Sequence, residues 1–243
     1  MKKRVHKFLF ITILALIILA GCDRPARILV VTGGHAFDTV EFFDLFSSLE
    51  NTLFDTVSHP RALELLASNK IDRYQVLVFY DYLPEMQLSD SIIFRGLSQK
   101  GISMLFLHHA LCNFQQWDGY SQMVGGKYII PEFEPDSTLH SNYRHDMDIQ
   151  VTVLDPNHPV TAGVDNFVIH DEDYSNIRVN KDVIPLLGTS NPDCAPLLGW
   201  VNQYQRSTCL YLMLGHDRQA YTNENLRLLL NNSIQWLSHE KPH

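Results

Sequence analysis

Cysteine is scarce in this chain, with four among 243 residues, at positions 22, 112, 194 and 209. So few cannot hold a fold together by disulfides. Positive charge is also short: 19 lysines and arginines stand against 27 aspartates and glutamates, a formal net charge of −8. That balance argues against a nucleic-acid partner, whose phosphates need a basic surface. No low-complexity stretch, internal repeat or linker-like segment divides the chain. Nor is there a phosphate loop, because Gly33-Gly34 and Gly125-Gly126 lack the full glycine spacing and the placed lysine such a loop requires.

Long apolar runs are missing too, apart from residues 8–20, and that run is short for a transmembrane span. Lys2, Lys3, Arg4 and Lys7 precede it, and Leu19-Ala20-Gly21-Cys22 closes it. A cationic start, an apolar middle and small residues at the cut make the layout of an export signal. Its end resembles the lipobox of bacterial lipoprotein precursors, where cleavage before the cysteine and acylation of its sulfur tether the mature chain. Residues 1–21 are therefore expected to be a lipoprotein signal peptide and residues 22–243 the mature domain. The expected location is the bacterial cell envelope, periplasm or outer surface, with the membrane engaged through lipid on Cys22. Removing residues 1–21 takes four cationic side chains with it and carries the net charge from −8 to −12. The 222 residues left are enough for one well-buried domain. Of their cysteines, Cys112, Cys194 and Cys209 can form one disulfide at most.

Residues 27–32 are an unbroken apolar run, the mark of a strand covered on both faces, and pass through Gly33-Gly34-His35 into helical spacing over 39–51. Short strands are expected at 54–58, 76–80, 103–108 and 207–214, with helices over 62–67, 89–100 and 223–238. Strand alternating with helix predicts right-handed crossovers and an open parallel sheet flanked by helices. Beyond residue 125 proline, aspartate and histidine become frequent, which predicts long loops and an antiparallel extension containing 150–154 and 183–187. The expected fold class is thus α/β.

In open parallel sheets the carboxyl ends of the strands line the ligand crevice. His35, Asp81, His108, His109 and His216 all fall at such ends. Imidazole suits proton transfer near neutral pH or divalent metal binding, so their convergence points to one of those tasks. His145 precedes an expected strand. Glu172, within Asp171-Glu172-Asp173-Tyr174, is flanked by apolar residues that would turn it inward as an acid, base or ligand. Adjacent carboxylates on a strand face opposite ways, so this acidic run is a poor pair for hydrolysis. Trp117, Tyr120, Tyr128, Phe133 and Tyr143 add aromatic faces that suit either sugar rings or ordinary loop packing.

Together these residues resemble the ThuA-like family associated with trehalose utilisation, whose fold is like that of class I glutamine amidotransferases. The resemblance rests on Val31-Thr32-Gly33-Gly34-His35, Leu107-His108-His109-Ala110, Trp117, Gly125-Gly126, His145, Asn157 to Gly163, Asp171 to Tyr174, Arg206, Leu214-Gly215-His216 and Trp236. It implies a flavodoxin-like, amidotransferase-like domain tied to uptake or breakdown of sugars. An amidotransferase needs a nucleophilic cysteine on the turn after its central strand. Here that turn carries His108-His109-Ala110, with Cys112 beyond it and expected to face elsewhere, so cysteine-dependent amide transfer is not expected.

The expected function is an envelope enzyme acting on a sugar or keto-glycoside, as lyase, isomerase or hydrolase. His35, His109, His145, Glu172 and His216 are its candidate catalytic residues. Trp117, Tyr120, Tyr174 and Arg206 are expected to position the sugar, and His35, His109 and His216 to hold a divalent transition metal if one is used. The alternative is a non-catalytic carbohydrate-binding lipoprotein that serves a transporter or partner enzyme. A carbohydrate is the expected small-molecule partner, and a homodimer is compatible with the sequence.

Overall fold

The computed structural model describes residues 24–85 and 87–240, so the expected signal peptide and Cys22 lie outside the described residues. Strand β1 (Ala26–Gly33) leads through helix α1 (Thr39–Ser47) to β2 (Thr52–Ser58), then through α2 (Arg61–Leu66) to β3 (Val76–Asp81). Helix α3 (Leu88–Lys100) and β4 (Ser103–Leu107) follow, and a 3₁₀ turn, His108–Cys112, leads to α4 (Asp118–Val124) and β5 (Gly126–Lys127). Next come β6 (Asn142–Val153), β7 (Phe167–Ser175), β8 (Arg178–Val179), β9 (Ile184–Gly188), β10 (Leu197–Tyr204) and β11 (Ser207–Leu212). The chain ends in α5 (Arg218–Tyr221) and α6 (Glu224–His239). Among the described residues no helix is long and apolar enough to cross a membrane.

Nine strands form one sheet in the order β2-β1-β3-β4-β11-β10-β9-β6-β7. The first five are mutually parallel, and the pairings from β11 to β7 are antiparallel. This is the expected α/β fold, a parallel sheet with an antiparallel extension. Phe79 and Tyr80 are neighbours on β3 and point to opposite faces. Phe79 packs on Phe94 of α3, while Tyr80 stacks on Phe42 of α1 and meets Tyr221 of α5. Helices therefore cover both faces, and β3 and β4 are buried along their whole length.

The extension does not lie flat. Four strand spacings separate β7 from β11 in the sheet order, about 19 Å if the sheet were planar. Yet Asp171 of β7 accepts a hydrogen bond from the Gly215 N–H, just past β11, at 2.7 Å. The β6–β7 ribbon must curl back over the carboxyl ends of the parallel strands. It can do so because β6 pairs with β9 only through Thr152 and Val153, whereas most of its length pairs with β7.

Candidate active site

The curl makes a cavity of about 280 Å³ between the parallel strand ends and the ribbon. Its floor comes from the loops after β1, β4 and β11, which deliver His35, His108 with His109, and His216. Its roof comes from the ribbon, which delivers Tyr143 and His145 of β6 and Glu172 and Tyr174 of β7. Tyr82, Cys112 and Tyr128 complete the lining.

Each floor loop is shaped by its backbone. Gly34 has φ +80°, and a Cβ there would stand 1.8 Å from the Tyr82 carbonyl oxygen, so only glycine lets the His35 loop lie on the loop after β3. Arg218 ties that loop to the start of α5 by donating to Asp38 through its backbone N–H and its guanidinium. His108 has φ +47° with no glycine to ease it, a strained turn of the kind found at functional sites. β11 ends at Leu212, two residues earlier than expected, and the freed Met213 carbonyl accepts from His108 Nδ1 at 2.6 Å.

Along β7 the acidic residues alternate. Asp171 turns toward the β11 loop and accepts from the backbone N–H groups of Gly215 and His216. Asp173 turns to Arg144 on the neighbouring strand. Glu172 and Tyr174, on the other face, meet His108: its Nε2 lies 3.1 Å from Glu172 Oε1 and 3.0 Å from the Tyr174 hydroxyl. The second carboxylate oxygen of Glu172 is 2.7 Å from His145 Nδ1, and His216 Nδ1 is 3.6 Å from the first. One carboxylate thus serves three histidines.

Burial alone would lower the pKa of His108, but its bond to Glu172 and the charges of Asp171 and Glu172 outweigh burial and raise it. Burial raises Glu172, and the opposing pull of His108, His216 and His145 brings it below its ordinary value. His216 is driven down to about 4 by burial and by the charge on His108, and His109 falls well below its usual range for the same two reasons. The pairing thus favours the charged forms of His108 and Glu172, while burial favours the neutral forms of His109 and His216.

His108, Glu172 and His216 could hold a metal ion. Their nearest ligand atoms stand 3.0, 3.1 and 3.6 Å apart. A tetrahedral ion with donors at about 2.0–2.2 Å would set them about 3.3–3.6 Å apart. The Met213 carbonyl takes up the Nδ1 proton of His108 and leaves Nε2 facing the group, as the outer partner of a metal-bound imidazole does. The trio differs from the one expected. His109 lies tilted against the His35 ring, 4.9 Å between centroids, and His108, a strand-end histidine outside the expected metal trio, is the centre of the network. Its placement directly after the last apolar residue of β4, on the turn where an amidotransferase carries its nucleophile, was the signal available in the sequence.

Three residues expected to position the sugar lie outside the cavity lining. Arg206 lies in the turn between β10 and β11, at the amino end of β11 and so at the far edge of the sheet from the cavity, where it donates to the Gln99 carbonyl. Trp117 packs beneath the Arg95 guanidinium and beside Tyr120, outside the lining. Tyr120 is buried and its hydroxyl donates to the Ala110 carbonyl, fixing the turn after β4. Tyr174 does line the cavity. Cys112 also lines it rather than facing elsewhere, but burial pushes its thiol pKa far up and keeps it uncharged. Cys112, Cys194 and Cys209 are all free.

The fold and site define an α/β domain with a class I glutamine amidotransferase-like fold, whose turn after β4 carries His108 and His109. The sequence matches the ThuA family, described as trehalose utilisation, over residues 27–237, and the chain belongs to that family. Among solved structures, a ThuA-like protein from Parabacteroides merdae superposes with a TM-score of 0.72 at 15% identity, covering 90% of this chain and 91% of the other. A ThuA-like protein from Bacteroides uniformis gives 0.70 at 22%, covering 89% and 93%. A glutamine amidotransferase from Thermotoga maritima gives 0.50 at 11%, covering 89% and 99%. No curated protein matches the sequence.

Proposed function

We propose that this protein is a lipid-anchored envelope enzyme of carbohydrate utilisation that acts on a keto-glycoside or related sugar by moving a proton beside a carbonyl. The observation that carries this reading is the sharing of Glu172 among His108, His145 and His216 at the wall of a cavity rimmed by Tyr82, Tyr128 and Tyr143. The family's tie to trehalose utilisation supports a sugar, and the cavity, at the small end for ligand sites, suits one sugar ring.

A ketone makes the neighbouring C–H bond acidic, so a positioned base and an electrophile suffice for elimination or isomerisation. Glu172, held ionised by His108, is the base, and the C–H electrons pass into the carbonyl as the proton leaves. His145, about half exposed and bonded to the other carboxylate oxygen, relays that proton to solvent or back to the sugar. A divalent transition ion on His108, Glu172 and His216 would supply Lewis-acid polarisation of the carbonyl oxygen. Leu19 to Cys22 supports the lipid anchor.

The test is a panel of keto-glycosides incubated with residues 23–243, with and without added zinc, manganese or iron, beside Glu172→Gln. Product from the wild type, reduced at least a hundredfold in the variant, is expected. Stoichiometric sugar binding with no product under any metal condition would make the protein a binding lipoprotein instead. Palmitate labelling of the full chain, lost in Cys22→Ala, tests the anchor.

A further inference from the structure

His109 is a buried histidine whose Nδ1 is enclosed and meets no donor or acceptor among the described residues. Its ring is clamped, with His35 at 4.9 Å and Tyr80 at 4.4 Å between centroids. Tyr80 is itself fixed, sharing a 2.7 Å hydrogen bond with the Tyr221 hydroxyl and donating to the His216 carbonyl at 3.0 Å. These two contacts hold the plane of the imidazole in place.

A neutral imidazole places its one proton on one nitrogen. An N–H sealed away from every acceptor costs about 1–3 kcal/mol, and orphaned buried N–H groups are rarer than under-used acceptors. The proton accordingly belongs on Nε2, and the bare lone pair of Nδ1 fills the enclosed side. His108, one residue earlier, has the reverse anchoring, with Nδ1 bonded to the Met213 carbonyl. His109 lines the cavity, so the edge it turns there is the one opposite Nδ1.

We propose that His109 presents a fixed Nε2–H to the cavity and donates it to the sugar oxygen on which negative charge builds as the neighbouring C–H proton departs. This rests on the proton-transfer reading above and assigns the electrophile that reading needs. The donor is set before substrate arrives, which is the condition under which such a hydrogen bond stabilises a transition state most.

Two substitutions separate the donor from the bulk of the ring, because the amide nitrogen of glutamine falls near Nε2 and that of asparagine near Nδ1. His109→Gln is expected to keep kcat within about tenfold, while His109→Asn and His109→Phe lose about 10²–10³ in kcat with KM little changed. Equal activity in the Gln and Asn variants, or a loss confined to KM, overturns the assignment. Nitrogen-15 NMR of the wild type labelled at histidine reads the tautomer without any turnover. The Nε2–H form, with its resonance moved by added keto-sugar, supports the proposal, and an Nδ1–H form or an unmoved resonance overturns it. Absence of turnover by the wild type on every keto-sugar would refute the enzymatic reading, and the NMR result would still decide whether His109 is the donor to a bound sugar.

Discussion

His108 Nε2 and Glu172 Oε1 stand 3.1 Å apart although 64 residues of chain and four intervening strands of the sheet separate them. The contact joins the floor of the cavity to its roof, and it is well buried, with side-chain exposures of 0% and 7%.

Glu172→Gln should therefore weaken the fold as well as the chemistry. Removing one partner of a buried pair leaves the other uncompensated, and a loss of about 3 kcal/mol in unfolding free energy is expected from urea titration at pH 7. A change below about 0.5 kcal/mol, the range of ordinary surface substitutions, would show that the pair is not ionised.

A divalent ion entering the His108–Glu172–His216 group must displace protons from its ligands. At pH 6 His216, at about 4, has none to lose, whereas His108, raised above its usual value, carries one. Calorimetry of zinc binding in buffers of different ionisation heat should give about one proton released per ion, and none in His108→Ala.

Asp171 has its pKa raised by burial to about 6, against the pull of His108 and the N–H groups of Gly215, His216 and Glu172. Its folded value lies above the unfolded one, near 3.8, so its favourable contribution is complete below pH 3.8 and is lost as pH rises through 6. The stability of the wild type relative to Asp171→Asn should accordingly increase as pH falls from 7 to 4, by an amount of order 3 kcal/mol. Paired denaturation curves at the two pH values measure it, and a constant difference would contradict the raised value.

Tyr143, with 57% of its surface exposed, stands edge-on to His145 at the cavity mouth. If it meets a sugar face, Tyr143→Ala should weaken sugar binding by about 1 kcal/mol, roughly fivefold, and Tyr143→Phe should restore it. Titration calorimetry with the best-bound sugar compares the three proteins.

Arg206→Ala serves as the contrast. The turn between β10 and β11 is remote from the cavity, so kcat and KM should match the wild type, with stability changed by no more than about 0.5 kcal/mol.

The parallel half of the fold is legible in the sequence because β1, β3, β4 and β11 are buried over nearly all their length and read as largely apolar runs. The floor histidines are legible for the same reason, since each follows directly on such a run or on the glycine after it. The ribbon is not. Residues 142–148 of β6 are polar and largely exposed, so neither alternation nor an apolar run marks them, and a bulge between Arg144 and Met147 breaks the register. With the ribbon hidden, its curl was invisible, and with it the pairing of His108 with Glu172. Arg206 was misplaced because a motif residue shows its distance along the chain and not the end of the sheet at which it sits. Trp117 and Tyr120 are aromatic for the sake of the core beside α4, a choice that residue type alone does not distinguish from contact with a ligand.

The position of β11 bears on how the molecule is made. It lies between β4 and β10, and among the described residues no other hydrogen-bonded strand joins the parallel half to the antiparallel half. It is also the last of the described strands in chain order, so a nascent chain that has reached residue 206 carries both halves with an open slot between them. The β4 edge of that slot, Ser103 to Leu107, is buried along its whole length in the finished protein. Until residues 207–212 fill it, that apolar edge is free to pair with another chain.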